Sequence, residues 1–222
     1  AEYLTYIPQD SEYADRNVYK NTKITIETVD KTLLRDYILN ISSNCLESNS
    51  CPFDISKSIT ITGNFDFTEL SQNTNSYIPL TYVNKQLTKM YNYELTNLKN
   101  ATSIEDEFTA GGMGYIYQNG NFILTGGGST GGSHISLLEN YNATKEELVI
   151  YEYAALYSSE FNGEENKYDI NDYYNKYSVQ VTGKNFNFKQ YLKEHKDKFT
   201  KYKHTYKKSD TGYYWYSTEV AR

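Results

Sequence analysis

Histidine, cysteine and tryptophan are scarce in this chain of 222 residues, numbering three, two and one. The two cysteines, Cys45 and Cys51, have no second Cys or His pair nearby, and His134, His195 and His204 lie far along the chain, so no metal site is expected. No cofactor motif survives a check of its context. No apolar run approaches the roughly 20 residues that a membrane-crossing helix needs. A basic excess is also missing. With a net charge of -6 and a pI near 5.2 the chain does not fit a general nucleic-acid binder. It shows neither an internal repeat nor a low-complexity linker, so one domain is expected over 1–222.

What is abundant is tyrosine, 25 residues against 9 Phe, in a chain whose mean hydropathy is -0.72. Each buried Tyr hydroxyl needs a partner or solvent, which favours sheets with partly wet faces over a helical bundle. Cys45 and Cys51 flank a short loop, where a disulfide in an oxidising compartment and two reduced bystanders are both open readings. The start at Ala1-Glu2-Tyr3 carries no signal-peptide pattern. A processed N-terminus of an exported protein explains that start, as does a cloning boundary.

Residues 1–22 read as an extended arm, 23–108 as a helix-rich half and 109–222 as a sheet-rich half. Val29, Leu33, Tyr37 and Ile41, widened by Leu34 and Ile38, form an amphipathic helical stripe, with Thr28 as its cap and Asp30 in its first turn. Phe53, Ile55, Ile59, Ile61, Phe65 and Phe67 alternate at period two and predict one strand, or two broken near Gly63. Residues 71–78 read as a loop. Val83, Leu87, Tyr91 and Leu95 predict a second helix after Pro79, ending near Asn97 or Asn100.

Asn119-Gly120 between 114–118 and 121–125 is a strong hairpin signal. Strands are expected at 134–138, at 147–157 and at 177–182, with an acidic loop over 158–176. A helix through Phe188, Leu192, His195 and Phe199 is capped by Asn187. A closing hairpin joins 202–208 to 213–216.

The Gly126–Gly132 run matches both the dinucleotide fingerprint and the nucleophile-elbow pattern. Neither has the required context. The strand before it belongs to a tight hairpin and no helix follows, so a flexible connection between antiparallel strands is preferred. As an alternative, an esterase-like serine hydrolase would use Ser129, with Asp169 or Asp172 as the acid and His195 or His204 as the base. Asp169-Ile170-Asn171-Asp172 lacks the rest of a calcium loop and reads as solvated. His195 reads as a core histidine.

Glu152 lies between Ile150 and Ala154 on one strand face, and its burial demands a partner from Tyr or Lys side chains on neighbouring strands. It would then be a structural hydrogen bond, or the polar anchor of a small-ligand pocket with Ile150 and Trp215. From Lys184 to Lys208 nine lysines face only Glu194 and Asp197. Interleaved with aromatics, Lys193, Lys196, Lys201 and Lys203 form a candidate surface for an anionic partner such as a cell-wall polymer.

The ending Tyr202-Lys-His-Thr-Tyr-Lys-Lys-Ser-Asp-Thr-Gly-Tyr-Tyr-Trp215-Tyr resembles the closing hairpin of uncharacterised secreted proteins and lipoproteins of low-GC Gram-positive bacteria. With the strands of 114–157 it is similar to the nuclear-transport-factor-2-like fold. Helices first and a long-stranded, mainly antiparallel sheet afterwards, with strands concentrated in the C-terminal half, is an α+β order, and the resemblance implies that the helices pack on a curved, cone-like sheet. The expected function is a non-catalytic extracytoplasmic binding domain of the cell envelope, meeting a wall polymer or another envelope protein. It would be membrane-anchored only through a lipid outside this chain.

Overall fold

The computed structural model describes residues 23–47, 50–65, 73–74, 76–127, 132–161, 166–172, 174–184 and 186–221. The expected arm at 1–22, Phe67 and Ser129 lie outside the described residues. In chain order the elements are β1 (Lys23–Thr25), α1 (Lys31–Glu47), β2 (Ile59–Thr60), β3 (Asn73–Thr74), β4 (Tyr77–Pro79), α2 (Leu80–Tyr91), β5 (Phe108–Ala110), β6 (Met113–Gln118), β7 (Asn121–Gly127) and β8 (Gly132–Ala143). They continue with β9 (Glu147–Phe161), β10 (Asn166–Asp172), β11 (Tyr177–Gly183), α3 (Phe188–Glu194), β12 (Lys201–Ser209) and β13 (Gly212–Val220). All ladders between these strands are antiparallel, which makes the fold α+β with mainly antiparallel sheet. The chain divides into two compact units, residues 34–130, and residues 1–33 with 131–222.

In the unit of residues 34–130, a four-stranded sheet runs in the order β4-β7-β6-β5. Its β6–β7 hairpin turns at Asn119 and Gly120, with φ of 50° and 79°, as the sequence requires. Asn100 brackets the turn, accepting from the Asn119 N–H at 2.9 Å. Ile61, Phe65, Tyr77, Ala101, Ile116 and Ile123 form one core cluster.

Four expectations need correction here. Residue 28 is not the cap of α1: Asp30 Oδ1 accepts from the Thr32 N–H at 2.9 Å, while the Thr28 hydroxyl serves the Thr25 N–H. Helix α2 buries Val83, Leu87 and Tyr91 but stops at Asn92, which is left-handed at φ 50°. Asn84 then grips both backbone groups of Leu95, burying that side chain without a further helical turn. Within 53–65 the odd positions do turn inward, yet only Ile59–Thr60 forms a ladder. Gln118 instead satisfies the Thr62 N–H and the Ala101 carbonyl, so a side chain replaces the neighbouring strand. Residues 71–78 are not all loop, since Tyr77 and Ile78 pair with Ile123 and Phe122.

The other unit holds a seven-stranded sheet in the order β1-β13-β12-β9-β10-β11, with β8 along β9. Strand β9 is its spine. Residues 148–158 pair with β8 on one edge; on the other, 147–153 pair with β12 and 156–161 with β10. The sheet therefore divides at Ala154–Ala155 into two lobes. One face carries α3 over Ile135, Ala155, Ile170, Leu192 and Phe199, ringed by half-buried aromatics. Asn187 caps α3 as expected, accepting from the Gln190 N–H at 3.0 Å. The acidic loop expected at 158–176 is a correction: Asn166–Asp172 is a strand paired on both edges.

Candidate functional site

On the face of β9 opposite α3, period two places Leu148, Ile150, Glu152, Ala154 and Leu156 in one row. Opposite them on β12 stand Tyr206, His204 and Tyr202. On β13 the partner of His204 is Thr218 and that of Tyr206 is Trp215. Residues 215 and 218 are three apart and would face opposite ways in a regular strand. A β-bulge after Thr205 inserts one extra residue, Tyr216, and returns Trp215 to the face of Thr218.

The result is a buried polar cluster that joins three strands. Glu152 is 1% exposed and His204 2%. Glu152 Oε1 stands 3.0 Å from His204 Nε2, a close polar contact off the line of an ideal hydrogen bond. His204 Nδ1 lies 2.7 Å from Thr218 Oγ1, and Trp215 Nε1 donates to the same oxygen at 2.9 Å. Tyr202 and Tyr206 flank the cluster, both buried. Burial pushes the Tyr202 hydroxyl pKa far upward, and the charge of Asp172 adds to the effect.

Glu152 thus meets a histidine, which the sequence reading did not offer beside Tyr and Lys, and Ile150 and Trp215 are buried as well. Of the proposed hydrolase set, His204 is engaged at both ring nitrogens, by Glu152 and by Thr218. A general base needs one of them turned toward the nucleophile. Asp172 accepts from the backbone N–H groups of Thr200, Tyr174 and Asn175 and so pins the entry to β12. The acid that touches His204 is Glu152, not Asp172. Asp169 accepts from Gln180 across β10 and β11 at 2.7 Å. His195 is half-buried, stacked 4.2 Å from the Tyr191 ring with Nδ1 at that residue's carbonyl. Among the described residues no group of three or more His, Cys, Asp or Glu could hold a metal ion.

Two of the four candidate lysines of the basic segment are paired with acids. Lys201 pairs with Glu139 at 2.6 Å and Lys203 with Glu219 at 2.8 Å. These contacts raise the pKa of both ammonium groups and lower those of both carboxyls. Lys196 lies over the Tyr153 ring at 5.2 Å, and Lys193 is exposed on α3. Strand β8 carries Leu138 and Tyr141, 57% and 68% exposed. A bulge between Leu138 and Asn140 puts both on the Glu152 side of the sheet, although their numbers differ in parity. Cys45 and Cys51 are disulfide-bonded.

Thr218, Leu138 and Tyr141 escaped the sequence reading, because both bulges break the period on which it depends. Comparison of the chain with protein-family models, curated proteins and solved structures found no match.

Proposed function

We propose that this chain is a non-catalytic, extracytoplasmic binding or interaction domain of a bacterial cell-envelope protein, and that it makes contact along β8. The observation that carries the reading is the exposure of Leu138 and Tyr141 on a twelve-residue strand that pairs only with β9 among the described residues. Edge strands are usually blunted by lysine, proline or unpaired charge. Strand β8 has no Lys, Arg or Pro, and its one acid, Glu139, is neutralised by Lys201. Extended segments add to such an edge through main-chain hydrogen bonds, with pockets for alternate side chains.

The Cys45–Cys51 disulfide supports an oxidising compartment. A lipid anchor outside this chain and a cone-like curvature of the sheet belong to the same proposal. Support for the curvature is the division of the sheet along β9. The partner class is a wall polymer or a second envelope protein.

The test is retention on purified Gram-positive cell walls. The native protein should be retained in low and high salt alike, because the contact is uncharged. Tyr141→Lys should abolish retention and Lys193→Glu should leave it intact. Loss with salt, or an effect of Lys193→Glu alone, would move the contact to the basic segment. Ester hydrolysis by the native protein that Ser129→Ala removes would overturn the non-catalytic reading.

A further inference from the structure

The buried cluster fixes where its protons sit, and with them the state of the imidazole. An indole N–H can only donate. Trp215 Nε1 therefore uses one lone pair of Thr218 Oγ1, at 2.9 Å. The hydroxyl proton of Thr218 needs an acceptor, and among the described residues the Thr218 hydroxyl has two hydrogen-bond partners: Trp215 Nε1, which cannot accept, and His204 Nδ1 at 2.7 Å. The proton must point at Nδ1. An Nδ1 that accepts carries no hydrogen, so the proton of the ring is on Nε2, the nitrogen that faces Glu152 Oε1 at 3.0 Å.

We infer that Trp215, Thr218 and His204 form a one-way hydrogen-bond relay, which holds His204 as the Nε2–H tautomer with its proton on the Glu152 side of the ring. No other tautomer is compatible with a donor at the far end. A hydrogen on Nδ1 would leave the Thr218 proton without an acceptor inside the sheet, which the burial of the group penalises. Thr218 is the positioning residue and the indole its anchor, and the bulge at Tyr216 is what brings the indole there. The inference stands apart from the contact proposed on β8 and survives its failure.

Long-range proton–nitrogen NMR of the uniformly ¹⁵N-labelled native protein at neutral pH reads the tautomer directly, and only three histidines contribute. For His204 the expected pattern is an unprotonated Nδ1 and a protonated Nε2. Thr218→Ser, which keeps the hydroxyl, should preserve it, and Thr218→Val should shift the ring toward a mixture. An Nδ1–H tautomer or an imidazolium in the native protein would overturn the relay. That native spectrum decides the matter even if Thr218→Val does not fold.

Discussion

Removing one partner from a buried polar pair costs more than replacing both, because the survivor stays in the core without solvent. His204→Leu should destabilise the protein by about 3–5 kcal/mol, since it leaves a carboxylate in the core, and Glu152→Leu by about 1–3 kcal/mol, since it leaves an imidazole N–H there. The double variant should lose much less than their sum. Urea unfolding of all four proteins closes the cycle, and additive losses would show that the two side chains do not act as a pair.

Glu219 gives a pH dependence of known sign. Its carboxyl is held below its usual range chiefly by the hydrogen bond from Lys203, with Lys23 assisting. A group with a depressed folded pKa contributes stability above its unfolded value and loses it as pH falls through the folded one. The urea midpoint should therefore drop on acidification below the usual carboxylate value of 4.5. Glu219→Gln should flatten that drop measurably. The raised Lys203 pKa acts at the other end, its contribution being lost only as pH climbs above 10.5.

At this scale the sequence marked Glu152 as a charge that needed a partner, which rests on burial cost alone. It could not name His204, because the pairing of β9 with β12 is set by distant chain segments. Asp172 was read as solvated, yet its oxygens bind three backbone N–H groups that only the folded chain brings together.

Among the elements, those specified by local chemistry were legible. Asn119-Gly120, the Asn187 cap and the stripe of α2 follow from turn conformation and helical spacing within a few residues. The end of α2, the irregular stretch at 53–65 and strand β10 were not, since Asn84, Gln118 and the two-sided pairing of β10 act across the fold.

The β13 bulge is the least legible element and makes a sharp prediction. Deletion of Tyr216 removes the extra residue and leaves Trp215 and Thr218 two apart, so a regular strand keeps both on one face and in register. Trp215 is the only tryptophan, and its emission should stay unshifted in the variant. A red shift would mean that the bulge itself, and not the face it restores, holds the indole in the core. The Cys45–Cys51 link closes a loop of sequence separation 6, for which chain entropy gives about 2 kcal/mol. Urea unfolding with and without reductant should differ by that order, and thiol titration of the native protein should find no free thiol.

For the whole molecule, composition gave the sign of the charge but not its arrangement. A net charge of -6 coexists with a lysine-rich end whose Lys201 and Lys203 are paired, so charge alone does not locate a contact surface. Among the described residues Glu152, His204 and Asp172 are turned inward, while Leu138 and Tyr141 of β8 stand in solvent. Contact through β8 is the central claim. Its most direct measurement is amide hydrogen exchange of the protein alone and with solubilised Gram-positive cell-wall fragments, followed along the whole chain. Added protection should concentrate in residues 132–143, along the edge of β8 that pairs with no other strand among the described residues. Protection confined to the lysines of α3 and β12, or none anywhere, would contradict the claim.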